Sequence, residues 1–130
     1  MHILNKFAGL VIVVAAVAGC AGHAPIMNVD AATTNQTGKT LTHDEVRAAI
    51  VRASASLGWQ IKVEGPNLLV ATITLRAHSA VVEIPYSANS YSIKYRSSVN
   101  LDEKGGTIHK NYNGWIQNLT KGINTQLSLS

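Results

Sequence analysis

The sequence predicts an α+β fold ordered α-β-β-β-β-α, a four-stranded antiparallel sheet with both helices packed on one face. Three observations carry this expectation. Apolar residues recur at helical spacing over 43–57 and again over 108–127. Between these stretches, apolar and polar residues alternate in four runs joined by short links rich in turn formers. Each helix and the sheet then own one apolar face, and a two-layer stack buries all three together.

The first helix is announced by Thr42-His43-Asp44-Glu45, a capping box in which Thr42 and Glu45 satisfy each other's backbone donors. Val46, Ala49, Ile50, Ala53 and Leu57 follow on one face, and Gly58 supplies the C-cap. Period two then takes over. Trp59, Ile61 and Val63 form the first run, and Gly65-Pro66-Asn67 turns the chain. Leu69, Ala71, Ile73 and Leu75 form the second, with Arg76–Ser79 as a hairpin or bulge. Ala80, Val82, Ile84 and Tyr86 form the third, and Ser87–Ser90 turns again. Tyr91, Ile93 and Tyr95 form the last. Gly105-Gly106 breaks the pattern, and Thr107 is placed to cap the second helix. On its wheel Ile108, Tyr112, Trp115, Ile116, Leu119 and Ile123 share an arc. The expected core holds Ile50, Leu57, Trp59, Ile61, Leu69, Ile73, Val82, Ile84, Ile93, Tyr112, Trp115, Leu119 and Ile123.

The chain has 130 residues, 46% hydrophobic and 14% charged, which allows one domain. Eleven basic residues face seven acidic ones, or ten once Lys6 leaves with a leader. That mild excess does not suit nucleic acid. A single cysteine excludes an internal disulfide framework and a Cys-rich zinc site.

Residues 1–19 read as a signal peptide. Lys6 makes a short positive start, and Phe7–Ala18 is an apolar core shorter than the roughly 20 residues a bilayer span needs. Val17-Ala18-Gly19-Cys20 is similar to a bacterial lipobox, so Cys20 is expected to carry fatty acyl chains after cleavage. Residue 21 is Ala rather than Asp, which by likeness to Gram-negative lipoproteins favours the periplasm-facing outer membrane. Residues 20–41 are small, polar and rich in Thr and Asn, and read as a lipidated cysteine followed by a flexible tether. Such a tether would span about 25 Å as a coil and at most about 70 Å stretched. Residues 42–130 form the globular domain.

No motif implies a cofactor or a metal. His43, His78 and His109 lack i,i+4 pairing, and there is no HExxH or G-x-S-x-G. The spacing leaves open a composite site of His78, His109 and Glu83, and in principle a paired-carboxylate glycosidase, although nothing marks the pair. Tyr112 and Trp115 have faces that stack on sugars, but both fall in the apolar arc. His109 and Asn113 sit at its edge, one turn apart, where they can lock the helix to the end of the sheet or to the Asn100 segment. The outer sheet face would carry Lys62, Arg76, Lys94 and Arg96 with Glu64 and Glu83. Mixed charge among threonines suits a solvated face. The cation excess also makes those four the candidate contact for an acidic partner.

Ser98-x-Asn100-Leu101 and Ile108-His109-x-x-Tyr112-Asn113-x-Trp115-Ile116-x-Asn118-Leu119, with the strand motifs before them, resemble small proteobacterial lipoproteins of unknown function. The likeness runs from about Asp44 to Ile123. It implies an envelope location and a compact α+β domain, and supplies no activity or site residue. The expected role is a non-enzymatic module, held to the membrane by its lipid, that binds or scaffolds a periplasmic or outer-membrane component. Peptidoglycan or another glycan is the alternative ligand, and a small metal-dependent hydrolase comes third.

Overall fold

The computed structural model describes residues 22–130; the leader and Cys20 lie outside the described residues. The elements are β1 (His23–Pro25), β2 (Val29–Thr33), α1 (His43–Ser56), β3 (Gln60–Gly65), β4 (Leu68–Leu75), β5 (His78–Pro85), β6 (Ser90–Val99), β7 (Thr107–His109) and α2 (Lys110–Ser128). The fold is α+β with two helices. The antiparallel sheet has five strands rather than four, in the order β2-β6-β5-β4-β3, and β1 and β7 form a separate pair.

Helix α1 begins as its sequence dictates. Thr42 accepts from the Glu45 amide at 3.1 Å, and the Thr42 amide donates to Glu45 Oε1 at 3.0 Å. That backbone donor holds the Glu45 carboxyl below the ordinary glutamate range, with Lys39 adding a smaller pull. The helix ends at Leu57, and Gly58 takes φ 88°. Gly58 N donates to Ala55 O at 3.2 Å and Trp59 N to Ser54 O at 2.9 Å, the paired bonds of a Schellman stop.

The hairpins explain the sheet. Leu75 pairs with His78, so Arg76 and Ala77 make a two-residue turn in which Arg76 takes φ 57°. The link around Arg76 is therefore a tight hairpin. Tyr86 pairs with Tyr91, and Ser87 N donates to Ser90 O at 2.8 Å across the next link. Strand β6 runs longer than its alternation suggests. Val82 faces Tyr95 and Val81 faces Ser97, which leaves Arg96 as the extra residue of a bulge.

One buried cluster joins Val46, Ala49, Ile50 and Ala53 of α1 with Leu69, Ile73, Val82, Ile84 and Ile93 of the sheet. Tyr112, Ile116, Leu119, Ile123 and Leu127 of α2 belong to the same cluster. Most of the expected core is there. Leu57 is exposed, and Ile61 and Trp115 only lean on the cluster. Ser54, next to Ala53 on α1, is also buried, and its hydroxyl has no partner among the described residues.

Two boundaries differ from expectation. Helix α2 starts at Lys110, not 108, because Ile108 is wholly buried in β7 opposite Ala24. The cap is His109, whose Nδ1 accepts from Asn111 N at 3.1 Å. Thr107, expected as the cap, instead donates through Oγ1 to Lys104 O at 2.9 Å.

The larger difference lies in the expected tether, which is folded from its third residue onward. Strand β1 pairs with β7, and β2 pairs with β6 through Val29–Ile93, Ala32–Tyr91 and Thr33–Ser90. Ile26, Met27, Val29 and Ala32 pack against the core. The cause is the free edge of β6, whose backbone donors and acceptors need partners. Pro25 and the bulge at Ala31 (φ 48°) break the alternation that would have marked these strands.

Two buried tyrosines separate hydrogen bonding from burial. Desolvation pushes Tyr91 up to about 12, and its hydroxyl donates to Asn124 Oδ1 at 2.7 Å. Burial also raises Tyr112, with Tyr95 adding to the shift, but its hydroxyl has no partner among the described residues. Tyr91→Phe should cost about 1 kcal/mol in denaturant unfolding, whereas Tyr112→Phe should be neutral or stabilising. Equal losses from the two variants would contradict this assignment.

The capping box makes a second prediction. Thr42→Ala should lower stability by about 1 kcal/mol. Glu45 has a depressed folded pKa, so its contribution is present above the ordinary glutamate range and is lost as pH falls through the folded value. Unfolding curves should therefore show wild type and Glu45→Gln converging in acid, where the glutamate is itself neutral, and a pH-independent gap between them would refute the carboxylate half of the box.

Candidate functional site

The four cations expected to share the outer sheet face do not all lie on it. Lys62, Val70, Glu83 and Lys94 form one cross-strand row over β3, β4, β5 and β6. Arg96 sits at the bulge, 3.3 Å from Glu64 and 3.8 Å from Glu83. Its charge is thus shared with two carboxylates of the same face. Arg76 lies in the hairpin turn, off the sheet, because the link there is too short to extend the strand. The expected cation excess reduces to Lys62 and Lys94 at the two ends of that row.

The histidine arrangement divides. His78 and His109 line one small hollow of about 90 Å³ with Asn100, Asn111 and Trp115. Glu83 is on the opposite side of the sheet, because it alternates with the inward-facing Val82 and Ile84. His78 donates through Nδ1 to Asn100 O at 2.8 Å. His109 uses Nδ1 to accept at the helix cap. Each ring is thereby committed on one nitrogen to holding backbone. Among the described residues, no group of three or more His, Cys, Asp or Glu side chains is placed to hold a metal.

Asn113 is the lock the sequence suggested, and its partner is the N-terminal segment. Its Oδ1 accepts from Met27 N at 3.0 Å and its Nδ2 donates to Pro25 O at 2.9 Å. One amide thus satisfies both backbone groups of the bend between β1 and β2.

This clamp borders a hollow of about 540 Å³. Ala24 and Met27 form one wall, and the first half of α2 forms the other. Gly114 lines it, and a side-chain carbon there would point into open space. Trp115 stands at its margin and also borders the His78–His109 hollow and a third of about 120 Å³ beside Leu57, Trp59 and Leu75. The expected stacking partner Tyr112 is fully buried, so only Trp115 offers a face to solvent.

Asn111, Gln117 and Asn118 line the same hollow, and their side chains have no hydrogen-bond partner among the described residues. Lys110 is the one formally charged group in its wall. Unpaired amides around a half-buried indole make a surface that grips neutral or zwitterionic polar groups. The sequence contained a usable signal for it. Asn111, Trp115 and Asn118 recur at i, i+4 and i+7, one stripe on the helix beside Gly114.

No family model matches the chain, and no curated protein is significantly similar to it.

The clamp can be tested alone. Asn113→Ala should strand Met27 N and Pro25 O, costing about 1–3 kcal/mol. Hydrogen exchange at Met27 should accelerate strongly while α1 amides change only with global stability. Unchanged protection at Met27 would show that the segment is held by something else.

Proposed function

We propose that this chain is a non-enzymatic lipoprotein of a bacterial cell envelope, anchored through Cys20 to the outer membrane and facing the periplasm. Its domain binds an envelope component at the Trp115 hollow. The observation that carries this reading is the set of unpaired amides around a half-buried tryptophan in a hollow of about 540 Å³. The anchor rests on the lipobox-like Val17–Cys20 and on the apolar stretch before it. The outer sheet face is a weaker candidate, since Arg96 is already bridged to Glu64 and Glu83.

A glycan ligand, peptidoglycan among them, is the second reading. It is favoured by the same amides, which match sugar hydroxyl and N-acetyl groups, and by the exposed indole face. A hydrolase built on His78 and His109 draws least support, because Glu83 is remote from them and both rings are engaged with backbone.

Two measurements test the reading. Cells fed labelled palmitate should label the wild type and not Cys20→Ser, which should leave the membrane fraction. Label that survives in Cys20→Ser would remove the anchor. Trp115→Ala combined with Asn118→Ala should abolish crosslinking to the envelope component in intact cells while the circular dichroism spectrum of the folded domain is retained. Crosslinks that persist would move the site elsewhere.

A further inference from the structure

We infer that the surface formed by β1, the first turns of α2 and the Trp115 hollow lies against the phospholipid headgroups of the membrane that holds the Cys20 lipid. This rests on the anchoring proposed above and adds an orientation and an occupant to it. The reasoning is one of reach. Only two peptide units separate Cys20 from Gly22, a distance of at most about 7 Å. Gly22 already belongs to the fold: its carbonyl accepts from Lys110 N at 3.4 Å, and His23 pairs with His109. No slack remains for the domain to stand away from the bilayer. The long tether expected from composition would have allowed that, and its pairing into β1 and β2 removes it.

The residues brought to the membrane suit it. Trp115 follows Lys110 by five residues, about 8 Å along the helix axis. Tryptophan concentrates at bilayer interfaces, where its ring lies among headgroups. Met27 and Ala24 supply an apolar wall, Lys110 a cation for phosphate, and Asn111 and Asn118 unpaired amides for headgroup polar atoms. The opposite end of the hairpin sheet carries none of this group.

The test uses the native protein purified from membranes, with its mass taken first to confirm the acyl chains. It is reconstituted in phosphatidylethanolamine–phosphatidylglycerol vesicles containing a headgroup-nitroxide phospholipid. The chain has two tryptophans, and Trp59 is only 3% exposed. Wild type should lose much of its emission to the nitroxide. Trp115→Phe should lose far less, and Trp59→Phe, with Trp115 as sole reporter, should be quenched most completely. Either variant alone decides the matter if the other fails to fold. Lipidated protein whose emission the nitroxide leaves unchanged would overturn the orientation while the anchor stands. A mass without acyl chains would overturn both. Emission unmoved by the vesicles but shifted by the trisaccharide chitotriose would assign the hollow to a glycan instead and overturn the headgroup occupant.

Discussion

The bidentate grip of Asn113 on the bend between β1 and β2 is the interaction on which the rest of this molecule depends. Without it, Met27 N and Pro25 O would be left unpaired beside α2. With it, the N-terminal segment becomes a wall, and the first half of α2 gains a hollow rather than a smooth solvated face. The same grip supports both neighbouring ladders, since β1 must lie on β7 and β2 on β6 for the bend to reach the amide. A single side chain therefore couples the edge of the sheet, the start of the last helix and the shape of the candidate site.

Electrostatics play a lesser part. The outer face of the sheet has ions of both signs in close register, and Arg96 lies between two glutamates. Exposed pairs of this kind contribute little to stability, roughly 0–1 kcal/mol each. Their larger effect is to spread charge evenly, which leaves no strong field to recruit an acidic partner. The Trp115 hollow is built differently: its amides can both donate and accept, and Lys110 is the one formally charged group in its wall.

Much of the fold was legible because its signals are local. The Thr42–Glu45 box, Gly58 and the alternation of β4 and β5 each state their conformation within a few residues. The segment 23–33 was not legible, because its strands exist only by pairing with chain about 60 to 85 residues away. Small polar residues, Pro25 and a bulge gave it the composition of a linker. Helix α2 was misplaced at its start for a related reason: Ile108 fits a helical wheel and a short strand equally well, and the partner Ala24 decides between them. Of the site, His109 and Asn113 were recognised as holding backbone, although the backbone they hold was not. Trp115 was assigned to the core because its spacing matches Tyr112 and Leu119. Gly114 beside it and the asparagines one turn to either side were the cue to a surface.

The order of the sheet has one more consequence. Its outer strands are β2 and β3. The first is interrupted at Ala31 by a left-handed residue, and the second is irregular between Val63 and Gly65 with Lys62 in its middle. Neither offers the straight, uncharged ladder on which a second copy could stack edge to edge. The half-exposed valine at 63, with 55% of its surface open, therefore sits beside an interrupted ladder, a geometry that disfavours edge-to-edge stacking of copies.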